Sequence, residues 1–197
     1  RLALRGATSI LLPKSWRKEA STGIFTDSRV KCYPEILPDL YIDTEQGISI
    51  RNQAIAQLHE SIQGMTDDGS AAPIVFHRRI IGGGIHDGDE IINYQDWIRN
   101  LPVHFIHTKE STVEATDGVW DMPIQIAMFD GVLTGSTTTA AEAVIHGMPT
   151  FLISKAERGF LDELEIRRPD LLFRWRSTLS DEFDRIARDW IEAMAEI

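Results

Sequence analysis

The sequence predicts an α/β protein built on a three-layer, Rossmann-like parallel sheet, and three observations carry that prediction. After residue 70, short apolar runs of strand length at 73–76, 131–134 and 150–153 alternate with stretches of helical periodicity. The runs around Val132 and Leu152 lack a polar alternation, as strands covered on both faces do. Residues 128–154 read as strand, glycine turn, helix and strand in one uninterrupted unit. Residues 1–69 are expected to be a separate segment, a partial domain or linker packed on the core, and 70–197 the α/β domain.

The 197 residues suffice for one solid core, with 43% hydrophobic and 25% charged residues, as is ordinary for a globular chain. A net charge of −10 repels a phosphate backbone, so general nucleic-acid binding is not expected. Any anionic ligand must be held by local positive features acting against that field. The single Cys32 cannot form an internal disulfide, and no apolar run reaches the roughly 20 residues of a transmembrane segment. The expected location is cytoplasmic, at most peripheral to the inner membrane face. The chain opens on Arg1 rather than Met, which suggests a piece of something longer.

In chain order, residues 7–12 followed by Pro13 read as a short strand. Residues 16–27 are polar and irregular, and Val30, Pro34 and Pro38 punctuate what looks like extended connector rather than an element. Ile55, Leu58 and Ile62 suit a helix over about 51–63, and Asp67, Asp68, Gly69 and Ser70 a loop. The strand at 73–76 delivers His77, Arg78 and Arg79, then Gly82, Gly83 and Gly84, beyond its carboxyl end. Ligands of open α/β sheets sit at such ends, and two guanidinium groups there suit phosphate or carboxylate oxygens. The glycines allow close backbone approach, or are a plain flexible loop. His77 reads either as a catalytic candidate or as a half-buried histidine with satisfied nitrogens.

Ile91 to Leu101 suits a helix packed on a sheet, and 103–107 a strand with its histidines outward, His107 opening the loop beyond. Residues 124–129 read as a brief apolar helix. In the central unit, Gly131 to Thr134 is the strand and Gly135 the turn. Ser136, Thr137, Thr138 and Thr139 place hydroxyls at the mouth of a helix whose regular part is 140–145. Thr139 and Glu142 have the spacing of a capping box, Gly147 is placed as a left-handed stop, and Pro149 prevents continuation. A helix start with free N–H groups after a glycine is suited to an anion. The arginines at 158, 167, 168, 174 and 176 read as scattered surface charges or flanks of an anionic ligand. Ser180 is expected to cap a final helix with Phe183, Ile186, Trp190, Met194 and Ile197 on its buried stripe. No Walker-type phosphate loop, zinc-protease motif, nucleophile elbow or paired-cysteine motif occurs.

The run Gly135-Ser136-Thr137-Thr138, Glu142-Ala143, Gly147 and Pro149 resembles the nucleotide-binding half of GT-B glycosyltransferases of the bacterial surface-polysaccharide type. The specific likeness spans about 25 residues and extends loosely over 70–197. It implies a Rossmann-like nucleotide-sugar-binding domain in which Gly135, Ser136, Thr137, Thr138 and Thr139 hold donor phosphates and Glu142 contacts the ribose. His107 would lie near the nucleotide base, and His77, Arg78 and Arg79 would carry the chemistry. The arginines and the helix start would stabilise charge on the leaving phosphate without a metal or other cofactor. The implied partners are a nucleotide sugar, a sugar or glycan acceptor, and a second domain or chain supplying the acceptor site. The same run also occurs in nucleotide-sugar 2-epimerases, and it equally suits a noncatalytic nucleotide-sugar-binding subunit; an α/β interaction domain with a merely capped helix is the third class.

Overall fold

A computed structural model describes residues 8–17, 26–33, 37–40, 42–63, 72–79, 94–109, 122–177 and 179–196. Five parallel strands form the main sheet: β3 (Ile74–Arg79), β4 (His104–Lys109), β5 (Gly131–Thr134), β6 (Thr150–Ile153) and β7 (Leu172–Trp175), in the order β4-β3-β5-β6-β7. A separate parallel pair joins β1 (Ile10–Pro13) to β2 (Val30–Tyr33). The helices are α1 (Thr44–Gln63), α2 (Gln95–Ile98), α3 (Met122–Ile126), α4 (Thr137–Ile145), α5 (Gly159–Arg167) and α6 (Ser180–Ala195).

Strand alternation sorts the core into two layers. Val75, Leu133, Phe151, Ile153 and Trp175 point to one face, where Tyr94 and Ile98 at α2 and Phe183, Ile186, Trp190 and Met194 of α6 cover them. Ile74, Phe76, Val132, Leu152 and Leu172 point to the other, under α3, α4 and α5. The two faces of the sheet are thus each sealed by helices, which is why β5 and β6 carry no polar alternation. The N-terminal elements lie on the second face: the turn Lys14–Arg17 against α5, the turn Leu37–Leu40 against α4, and α1 against α3.

Several elements differ from expectation. Val30–Tyr33 is a strand, not connector: its partner is β1, and pairing with a distant segment leaves no local periodicity. α1 begins at Thr44 rather than near residue 51, because Asp43 accepts the Gln46 N–H through Oδ1 at 3.0 Å and the Gly47 N–H through its carbonyl at 3.1 Å. α3 begins at Met122, and β4 runs past the expected end at His107 to include Thr108 and Lys109. α5 and β7 were not expected at all. Arg174, read as a surface charge, is buried in β7, donating to Asp162 at 3.1 Å, Glu165 at 3.0 Å and the Ala156 carbonyl at 3.2 Å. One buried cation serving three acceptors ties α5 to the edge strand. Ser180 is the first residue of α6 and not its cap; Ser177 instead accepts the Leu179 N–H at 3.2 Å. The expected buried stripe of α6 holds at Phe183, Ile186, Trp190 and Met194, packed on β6 and β7. The expected loops at 67–70 and 82–84, the first residues of the helix expected from 91, and Ile197 fall outside the described residues.

Candidate functional site

The strand order places a topological switch between β3 and β5. From β3 the chain proceeds to β4 on one side, whereas from β5 it proceeds to β6 on the other. Connections leaving in opposite directions open a crevice outside the carboxyl ends of the two strands, where ligands of such sheets bind. Arg78 and Thr134 are direct partners across that pair, and the Thr134 hydroxyl donates to the Arg78 carbonyl at 3.2 Å. Of the residues singled out from sequence, Arg78 and the turn from Gly135 into the first residues of α4 therefore lie at the carboxyl ends of neighbouring strands.

The turn after β5 is fixed by its own hydroxyls. Thr134 Oγ1 accepts the Ser136 N–H at 2.9 Å, and Ser136 Oγ accepts the Thr139 N–H at 3.3 Å. Ser136, in extended conformation at φ −83° and ψ 120°, is the N-cap. This corrects the expected capping box: Thr139 is the third helical residue, and α4 starts at Thr137 rather than at 140. The three-residue spacing from Ser136 to Thr139 outranks that from Thr139 to Glu142 because the strand ends at Thr134 and leaves room for a two-residue turn only. Ser136, Thr137 and Thr139 are buried, while Thr138 is exposed. The N–H groups of Thr137 and Thr138 have no acceptor within the helix and lie at its positive end. Glu142 stands one turn along from Thr138 on the same helical stripe.

At the other end, the helix closes as expected. Gly147 has φ 81°, its N–H donates to the Val144 carbonyl at 3.0 Å, and the Met148 N–H donates to the Ala143 carbonyl at 2.9 Å. Those two bonds are a Schellman motif.

Arg78 lies on the sheet face that α4 covers, with its guanidinium donating to Met122 Sδ of α3. Arg79 ends β3 in register with Lys109; its side chain is outside the described residues. His77 and His107 belong to a second group. They are direct partners in β3 and β4, and both project to the α2 and α6 face. Their Nδ1 atoms are 2.7 Å apart, and His77 Nε2 is 3.0 Å from the Tyr94 hydroxyl. His77 is 2% exposed, whereas His107 is open to solvent. The two outward histidines expected of this strand are in fact on opposite faces, because His104 and His107 are three residues apart in a period-two element. Ile106, on the face of His104, is exposed as well, at 39%.

Sequence reasoning missed Tyr94, which read only as an apolar position of a helix, and Thr134, which read only as a strand residue. Tyr94 acts through a partner 17 positions away, and Thr134 joins a local bond to the Ser136 N–H with one to the Arg78 carbonyl 56 positions away, which a sequence alone does not signal. Among the described residues, no group of three or more His, Cys, Asp or Glu is placed to hold a metal ion. No described helix is long and apolar enough to cross a membrane. Comparison with protein-family models, with curated proteins and with solved structures finds no match to the chain.

Proposed function

We propose that this chain is the donor-binding half of a glycosyltransferase of GT-B type, seating the phosphates of a nucleotide-activated sugar. The observation that supports this reading best is that the first turn of α4 opens at the β3–β5 switch, on the same sheet face as Arg78. Outward amides, a helix dipole and a guanidinium at one crevice give an anion three kinds of stabilisation in a chain whose net charge of −10 opposes it. In transfer, the same groups stabilise the negative charge that accumulates on the leaving phosphate. The acceptor is a sugar or glycan, in polysaccharide or glycoconjugate synthesis, and a second domain or chain completes its site.

Calorimetric titration with UDP, GDP, CMP and their sugar conjugates tests the reading, with Thr137→Pro as the informative variant. Proline is well tolerated at the first helical position, and the extended Ser136 before it is compatible with a following proline. The substitution removes one amide donor while keeping the helix. Loss of one hydrogen bond to a charged group, about 1.5–3 kcal/mol, corresponds to roughly 10- to 150-fold weaker binding. A folded chain that takes up none of these nucleotides overturns the proposal.

A further inference from the structure

Where α1 meets the carboxyl end of α4, a titratable side chain is buried without a partner. The imidazole of His146 is 6% exposed, and among the described residues neither ring nitrogen makes a hydrogen bond. A neutral ring brings one N–H and one lone pair to that seat and satisfies neither. The backbone beneath it is fixed: the His146 N–H donates to the Glu142 carbonyl at 3.1 Å, and Gly147 follows at φ 81°. Gly47 closes over the ring so tightly that a Cβ there would overlap Nδ1. α1 itself is lightly held. Gly47 is its only fully buried residue among those described, and the stripe from Ile50 to His59 is half-buried. An element with so little buried surface opens at lower cost than the sheet.

A proton sets the two sides of this contact against each other. The closed seat desolvates the ring and opposes a charge on it. Once hydrated, the same charge stands at the negative end of the α4 dipole, where a histidinium stabilises a helix. Just before α1, Asp43 draws the proton on. Arg51, one turn beyond Gly47, is half-buried with its own charge opposed by burial, and a histidinium adds a like charge. On α4, Glu142 lies one turn back. Arg167 of α5 is taken up by Asp39 of the turn Leu37–Leu40 at 2.9 Å and by Glu163 at 3.8 Å. α3 carries no charged residue.

We propose that the seat of α1 on α4 is a proton-operated latch: His146, once protonated, releases α1 while α4 and the five-stranded sheet stay folded. α4 keeps its place because its hold does not involve the ring. Ser136 caps it, and Ala140, Ala141 and Val144 pack in the core beneath it. The far end of α1 does not supply the release, since a proton on His59 strengthens its 2.8 Å bond to the Asp130 carboxylate. The latch stands apart from the donor-binding reading.

Hydrogen–deuterium exchange with peptide mass spectrometry, corrected for the intrinsic effect of pH, reads the latch in the full chain. The open state takes the proton first as pH falls, so protection is expected to hold above about pH 6.5. Below it, protection of residues 44–61 should fall by up to about tenfold per pH unit, the limit for one linked proton, with 131–145 and 150–153 unchanged. His146→Gln should abolish that dependence. Gly47→Ala wedges the same contact and should bring the loss on at pH 7.5. Loss of protection by α1 and the sheet together, or an α1 rate indifferent to pH in the parent chain, overturns the latch. So does a fall in His146→Gln as steep as the parent's, or parent-like α1 protection in Gly47→Ala at pH 7.5.

Discussion

Gly47 of α1 rests directly on the imidazole of His146, the residue that ends α4. A methyl group at Gly47 would overlap Nδ1 and Cε1 of that ring, so this glycine is present for lack of a side chain rather than for backbone freedom. Gly47→Ala improves helix propensity yet forces two helices apart. The expected net result is a loss of about 1–3 kcal/mol by urea denaturation, where an ordinary exposed helical glycine would give a gain.

The same contact predicts a pH dependence. His146 is 6% exposed, and among the described residues neither ring nitrogen has a hydrogen-bond partner. Burial pushes its pKa below the usual imidazole range, against a smaller upward pull from Asp43. With the folded-state pKa depressed, the unfolded chain binds the extra proton first as pH falls. The neutral histidine therefore costs nothing above about pH 6.5. Below it, stability declines by up to about 1.4 kcal/mol per pH unit until the folded-state pKa is reached. Unfolding curves between pH 7.5 and 5 should show that slope, and His146→Gln should lose it.

The ends of α4 make a third prediction. Ser136→Ala removes the side-chain acceptor for the Thr139 N–H and should cost about 0.5–2 kcal/mol. Gly147→Ala meets no atom of the described residues within 4 Å, so its expected cost is that of the positive φ, about 1 kcal/mol. Thr139→Ala should lose no cap. Thermal unfolding of the three variants ranks them, and a Thr139→Ala loss as large as that of Ser136→Ala contradicts the capping described here.

The central unit was legible because its signals are local. The strand Gly131–Thr134, the stop at Gly147 and the strand Thr150–Ile153 each follow from residues a few positions apart. The cap was misassigned by three residues because four consecutive hydroxyl side chains compete for one role, and only the end of β5 decides among them. β7 was hidden by Arg174, whose charge reads as surface until Asp162, Glu165 and the Ala156 carbonyl are seen to enclose it. At the candidate site, the gathering of Arg78 with the α4 start was foreseeable from strand ends. The partition of His77 and His107 onto the opposite face was not, since it depends on the register of two strands 30 residues apart.

Asp130 immediately precedes β5, and its Oδ2 accepts from both the Ile74 N–H at 2.7 Å and the His59 ring at 2.8 Å. One carboxylate thereby knots α1 to the first residue of β3 and to the approach to β5, at the end of the sheet remote from the crevice. Anchorage thus sits at the pole of these strands opposite the candidate site. Damage at Asp130 would loosen three elements at their base while leaving the residues at the carboxyl ends of β3 and β5 chemically intact.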